Sequence, residues 1–100
     1  MVHTRAEVRT DNPARYAKQL SSHLGRRCAV EEDHEGTRIT LPGERGSGSC
    51  LLRCTDGLLA LEVEAESAEV LDVVHDVVGR HLERFGQRDG LAVEWLPGAA

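Results

Sequence analysis

The sequence is poor in aromatic side chains and has no long apolar run. Of its 100 residues 40% are hydrophobic, but only 3% are aromatic, namely Tyr16, Phe85 and Trp95. The core must therefore be built mainly from aliphatic side chains. A chain of this length removes roughly two thirds of its unfolded surface from water, which is enough for one domain without metal or disulfide staples. We expect a single domain over residues 1–100, with 97–100 as a flexible tail.

Positive charge is also scarce. The chain has 12 basic and 17 acidic residues, a formal net charge of -5, and Lys18 is its single lysine. Affinity for nucleic acid depends on a basic face, so no nucleic-acid partner is expected. No apolar run approaches the roughly 20 residues that span a bilayer. The start, MVHTRAEVRT, carries charges where a signal peptide is apolar. We therefore expect a cytoplasmic protein without a membrane partner.

Sequence motifs of the common enzyme classes are missing. The glycine-rich stretch PGERGSGS lacks the Gly-Lys-Ser/Thr ending of a phosphate-binding loop, and no helix is predicted to follow it. Neither a Gly-x-Ser-x-Gly elbow nor a His-Glu-x-x-His motif occurs. The sequence therefore gives no support for an enzyme, and it predicts no catalytic residue, no cofactor and no metal.

What the sequence does contain is a regular succession of strand and helix patterns. Alternation of apolar and polar residues predicts six strands, at residues 4–9, 28–33, 39–41, 50–55, 58–65 and 91–95. Asp56-Gly57 predicts a two-residue hairpin turn between two of them.

Apolar residues at helical spacing predict two amphipathic helices. The first extends from a cap at Asp11 or Asn12 to Gly25, which fits the left-handed position after a helix. The second extends from a cap at Ser67 to about Phe85. The expected fold class is α+β, a two-layer domain of order β-α-β-β-β-β-α-β with two helices on one face of a mostly antiparallel sheet.

The three cysteines, an odd count without an export signal, indicate reduced thiols. Cys50 and Cys54 have the spacing of a C-x-x-x-C pair, but four residues of strand span about 13 Å. A disulfide needs Cα atoms within about 7 Å of each other. We therefore expect both sulfurs to point into the core beside Leu52, while Cys28 on a neighbouring strand could approach one of them.

Two of the five histidines occupy apolar helix positions. His23 follows Tyr16 and Leu20 on one side of the first helix, and His81 lies within the apolar stripe of the second. If the helices pack together, the two imidazoles could approach each other. A histidine on a packed helix is more often structural than a ligand, and two histidines alone fall short of a usual metal set.

Three stretches of the chain carry a resemblance to a known family. They are ARYAKQL followed by a histidine, the G-S-C-x-L strand start at 48–52, and DVVGRHLERFGQRDGLAVEW at 76–95. The last of these contains His81 and Arg84 at favoured family positions. With them the chain resembles, nearly end to end, the bacterial domain of unknown function family 2218. The resemblance implies a small stand-alone protein without an established activity. It also gives a contextual hint of iron or siderophore metabolism, because some members are associated with siderophore-handling proteins.

One stretch departs from the pattern of this family, which reads Cys-Lys-His-aromatic-x-His-Lys. The matching residues here are SSHLGRR at 21–27, so Ser21, Leu24 and Arg26 replace the cysteine, the aromatic residue and the second histidine. If relatives use that stretch to hold a metal or haem, this chain has lost most of the donors. The positive charge of Arg26 and Arg27 is better suited to an anion.

The sequence thus favours a non-catalytic binding or accessory domain. Its ligand would be a small anion or a partner protein, bound in a cleft near the end of the first helix. The candidate binding residues are His23, Arg26, Arg27, His81 and Arg84. Two alternatives stay open: a homodimer or partner-docking module that uses the sheet, and a metal or redox protein that uses the cysteines and histidines.

Overall fold

The computed structural model describes residues 2–43 and 46–97. Its elements are β1 (Val2–Arg9), α1 (Pro13–Leu24), β2 (Ala29–Asp33), β3 (Gly36–Thr40), β4 (Gly48–Thr55), β5 (Leu58–Ala65), α2 (Ala68–Phe85), a short 3-10 helix (Gln87–Asp89) and β6 (Trp95–Pro97). The predicted order of strands and helices is confirmed. In the described part of the chain, no helix is both long enough and apolar enough to cross a bilayer.

The six strands form one open sheet in the order β2-β3-β4-β5-β1-β6, and each neighbouring pair is antiparallel. Both helices pack on the same face of this sheet, so the predicted two-layer α+β architecture is confirmed. The β2–β3 hairpin extends one edge of the sheet. Without it, the remaining elements follow the order β-α-β-β-α-β, a split β-α-β arrangement.

The core lies between the sheet and the two helices and is mainly aliphatic, as predicted, although Tyr16 is also buried in it. On β5 the burial alternates, since Leu59, Leu61 and Val63 are fully buried and Glu62 is exposed. Leu20 from α1 and the apolar stripe of α2 fill the other side. The largest fully buried side chains are Leu20, Ile39, Leu52, Leu59, Leu61, Leu82, Val8, Val63, Val74, Val78 and Cys50.

Both helices begin at the predicted positions, but the Asn12 side chain makes no capping hydrogen bond to α1, and the first helix ends differently. The Ser67 hydroxyl caps α2 by accepting a hydrogen bond from the Val70 backbone N–H at 3.3 Å. Gly25 has φ -60° and ψ -12°, so the predicted left-handed conformation is wrong. Glycine is favoured there by a close approach instead, because a Cβ at Gly25 would lie 2.7 Å from the Ser21 carbonyl oxygen.

The position predicted for the final strand, 91–95, is wrong: β6 spans Trp95–Pro97 and shares only Trp95 with that range. Residues 91–94 are irregular, because the Leu91 backbone N–H donates to the Gly86 carbonyl at 3.0 Å and the Val93 N–H donates to the Glu83 carboxylate at 3.1 Å. Both groups are thereby drawn towards α2. Strand pairing with β1 starts only at Trp95. Of the predicted tail, residue 97 ends β6 and residues 98–100 lie outside the described residues.

The predicted burial of the cysteines is correct for Cys50 and wrong for Cys54. Cys50 is fully buried, but Cys54 is exposed. The reason is the register of the sheet: Thr37 pairs with Leu52, and β3 begins one residue earlier, at Gly36. The last residues of β4 therefore have no strand beside them on that edge. Cys28 is half-buried just before β2, and the structure leaves all three thiols free.

Thiol titration of the native protein is expected to give three different rates. Cys54 should react with a disulfide reagent quickly, because it is exposed, and Cys28 more slowly. Cys50 should react only after unfolding, because burial raises the pKa of its thiol to about 12 and removes it from the reagent. Ellman's reagent with and without denaturant provides the measurement. Three fast equivalents from folded protein would contradict the buried position of Cys50.

Candidate functional site

A groove of about 440 Å³ lies where the end of α1 meets α2 and the base of the β2–β3 hairpin. One wall comes from the last turn of α1 and the link to β2, another from α2, and the rest from the segment after β3. Its lining residues are His23, Leu24, Arg26, Arg27, Cys28, Leu41, Pro42, Val77 and His81. A groove of this size is in the range of small-molecule sites.

The two helical histidines meet at this groove. The ring centroids of His23 and His81 are 4.8 Å apart, and the ring planes are tilted by 45°. The helices bring the rings together because Leu20 and Leu82, near them on α1 and α2, are both buried in the common core. We expected the two imidazoles to approach each other if the helices pack together, and the structure confirms this contact.

One nitrogen of the His81 ring is committed to the helix. Nδ1 of His81 is hydrogen-bonded to the Val77 backbone carbonyl one turn earlier. A carbonyl can only accept, so Nδ1 carries the proton and donates it. In the neutral ring the other nitrogen, Nε2, is then an acceptor, and in the charged ring it is a second donor. The helix therefore fixes which nitrogen of His81 is available to a ligand.

Phe85 adds an aromatic ring behind the histidines. It makes an edge contact with His23, with centroids 5.6 Å apart and planes at 77°. Its centroid lies 6.2 Å from that of His81. Edge-to-face packing at such distances is favourable for aromatic rings. The exposed His23 ring is therefore supported from behind by two other rings.

The two arginines reach the groove because α1 ends in a tight turn. The backbone N–H groups of Arg27 and Cys28 both donate to the Leu24 carbonyl, at 3.0 and 2.8 Å. This turn redirects the chain towards β2 and leaves Arg26 and Arg27 exposed beside the groove. Arg84, in the last turn of α2, is exposed and does not line the groove. Four of the five predicted site residues are thus brought together.

The floor of the groove is apolar and was not predicted from the sequence. Leu41 and Pro42 follow β3, and Val77 faces them from α2. Leu41 and Val77 are each half-buried, so part of both side chains remains accessible. In the sequence, Leu41-Pro42 fits the end of a strand and Val77 fits the apolar stripe of the second helix. Neither pattern therefore indicated a binding site.

The ionisable side chains among the described lining residues are basic, apart from one thiol. They are His23, Arg26, Arg27 and His81, with Cys28 as the thiol. Burial raises the pKa of the Cys28 thiol, which favours its neutral form. The groove therefore presents positive charge in a chain whose formal net charge is -5.

The structure offers few metal ligands for the alternative in which the protein is a metal or redox protein. Within residues 2–43 and 46–97, no three His, Cys, Asp or Glu side chains come together in a group that could hold a metal ion. At the groove the described residues offer two imidazoles near each other. This falls short of the three or four protein ligands that zinc sites use.

The helix-free face of the sheet is a second concave surface, also of about 440 Å³. Its charges are largely paired within the chain, since Arg53 contacts Glu62 at 2.9 Å and Arg38 contacts Glu64 at 4.0 Å. Beneath these side chains Leu51 is only 5% exposed. This is the surface that the alternative of sheet-mediated docking would use.

Comparisons with known proteins support the fold and the family. Residues 5–96 match the family model described as an uncharacterised protein conserved in bacteria, DUF2218. No curated protein matches the chain. The NMR structure of PA4090 from Pseudomonas aeruginosa has a TM-score of 0.78 and 25% sequence identity, with the whole of both chains covered.

A second solved structure shows the architecture independently of sequence. The de novo designed protein LFR1 1, described as having a ferredoxin fold, has a TM-score of 0.55 and 13% identity. The alignment covers all of this chain and 88% of the designed one. At that identity the similarity concerns the fold alone. The family match over nearly the whole length leads to one conclusion: the chain belongs to DUF2218, a family of uncharacterised proteins conserved in bacteria.

Proposed function

We propose that the groove between α1, α2 and the hairpin base binds a small organic anion, and that the protein acts as a binding module without catalysis. One observation carries the proposal: the groove collects His23, Arg26, Arg27 and His81 from two helices and a turn. Among the described lining residues no carboxylate opposes them.

The chemistry of these groups suits an anion with more than one oxygen. A guanidinium presents several N–H donors in a planar fork that matches a carboxylate or phosphate. Nε2 of His81 supplies a further donor when its ring is protonated, because Nδ1 is already bound to the Val77 carbonyl. An anion seated against the half-buried apolar side chains would also be less screened than at an open surface.

A purely structural role accounts for part of the arrangement. Positive charge after the last turn of α1 is stabilised by the negative end of the helix dipole. That effect explains Arg26 and Arg27, which follow the helix directly. It does not explain the contact of His23 with His81, a residue of the other helix, at 4.8 Å. The convergence of both elements on one groove supports ligand binding.

Thermal-shift and calorimetric titration with anions tests the proposal. The probes are phosphate, citrate and 2,3-dihydroxybenzoate, a catechol whose carboxylate is ionised at neutral pH and which is chosen because of the siderophore hint. At least one should raise the melting temperature. Arg26→Ala combined with Arg27→Ala should weaken its binding by about tenfold or more, since hydrogen bonds to charged groups each contribute about 1.5 to 3 kcal/mol.

Arg84→Ala is the control, because it removes one arginine charge, where the double variant removes two, from an exposed position that does not line the groove. It should leave the affinity nearly unchanged. The proposal is wrong if none of the probes binds, or if the double variant binds the anion as tightly as the unmodified protein does.

A further inference from the structure

The groove combines two kinds of surface that an inorganic anion would not use together. Arg26 and Arg27 lie on one side, while Leu41, Pro42 and Val77 form an apolar floor. A simple phosphate ion would leave that floor exposed to water. Small-molecule sites of about 300 to 1,000 Å³ typically pair such apolar walls with a few polar anchors. The volume of about 440 Å³ therefore fits an organic ligand.

The aromatic side chains indicate the shape of that ligand. His23 is exposed, and its ring is supported by His81 at 4.8 Å and by Phe85 at 5.6 Å. His23 lines the groove, so a ring that packs against two others offers the ligand a flat aromatic surface. Aromatic ligands stack on such surfaces and gain roughly two- to tenfold in affinity beyond the burial of area. A flexible aliphatic chain gains no such term.

From these two features we infer that the ligand class is a planar aromatic carboxylate. Its ring lies against the His23–His81 pair and over Leu41 and Val77, and its carboxylate contacts Arg26 and Arg27. The inference rests on the proposed function, because it assumes that the groove binds anions. It adds that the apolar ring of the ligand supplies a large share of the affinity.

Isothermal titration of the full chain with four probes separates these contributions. The probes are 2-naphthoate, its saturated analogue decahydro-2-naphthoate, the neutral 2-naphthamide and inorganic phosphate. We expect 2-naphthoate to bind about tenfold more tightly than phosphate, because its ring buries apolar area. It should bind several-fold more tightly than the saturated acid, because only the aromatic ring stacks. The amide should bind at least about tenfold more weakly than 2-naphthoate, because it lacks the charge.

A matched pair of valine variants tests the position of the ring. Val77→Thr keeps the side-chain shape but puts a hydroxyl on the groove floor, and it should weaken 2-naphthoate binding by about fivefold while leaving phosphate unchanged. Val73→Thr is the control, since Val73 is also half-buried on α2 but lies outside the groove. It should change neither affinity. Amide NMR spectra of both variants establish that they remain folded.

The outcomes distinguish this inference from the proposal on which it rests. Equal affinities for phosphate and 2-naphthoate would overturn the aromatic ligand class and leave anion binding intact. A saturated acid that binds as tightly as 2-naphthoate would overturn the stacking on the histidine pair. Failure of all four probes would overturn the aromatic ligand class, and failure of the other anions of the thermal-shift series as well would overturn anion binding. An upfield ring-current shift of the bound naphthoate protons would support its placement beside the imidazoles.

Discussion

Leu82→Ala is expected to lower the free energy of unfolding by about 2 to 5 kcal/mol, a large part of the total for a domain of this size. Leu82 is fully buried on α2, directly after His81. Its side chain is part of the single core that joins both helices to the sheet. Removing it leaves a cavity between elements that the core holds in place, and such cavities collapse only partly.

Leu96→Ala is the matched control for this variant. Leu96 is 40% exposed on β6, so the same truncation removes less buried surface than at Leu82 and should cost only about 1 kcal/mol. Urea denaturation followed by circular dichroism measures both values. Similar losses of stability for the two variants would show that the core does not lie where the structure places it.

Gly36→Ala is expected to destabilise the protein by about 3 kcal/mol or more. Gly36 has φ +146°, a conformation that side-chain-bearing residues rarely adopt. An added Cβ would lie only 2.2 Å from the Leu52 carbonyl oxygen on β4. Relief of that contact requires a shift of backbone, and Thr37, the next residue, already pairs with Leu52 in the sheet. The variant should therefore separate the start of β3 from β4.

Gly43→Ala provides the comparison, because a Cβ there would meet nothing within 4 Å and the residue is not in the positive-φ region. Its effect should stay within about 0.5 kcal/mol. Urea denaturation gives the stabilities, and amide hydrogen exchange localises the damage to β3 and β4. If Gly36→Ala were as stable as Gly43→Ala, the close approach at Leu52 would be incorrect.

The periodic parts of the fold could be predicted from the sequence alone. Apolar and polar residues alternate along β5, and apolar residues recur at helical spacing along α2. Each pattern marks the one face of its element that is buried, so the local pattern agrees with the tertiary packing. The cap at Ser67 follows from the same logic, because the first N–H groups of a helix need an acceptor. These features depend on neighbours within a few residues.

Features that depend on distant neighbours were predicted less well. The exposure of Cys54 follows from where β3 begins, which is a matter of register between strands rather than of the sequence around the cysteine. The irregular segment before Trp95 depends on a hydrogen bond from Val93 to Glu83 across ten residues.

The candidate site shows the same division. The meeting of His23 and His81 could be foreseen because both lie on apolar helix faces. The contribution of Leu41 could not, since it depends on the hairpin base reaching α2. Arg84 was assigned because it is basic and stands at a position that the family pattern favours, but it does not line the groove.

The added β2–β3 hairpin has a consequence for how the binding specificity that we propose would evolve. Its two ends, at Arg26 to Cys28 and at Leu41 to Pro42, supply all of the described groove residues that lie outside the helices. Loops tolerate substitution and changes in length better than packed elements do. Sequence changes at these two junctions could therefore alter the preferred ligand while the core of β1, β4, β5 and the two helices keeps its packing. Recognition and folding would then be under largely separate selection within one small domain.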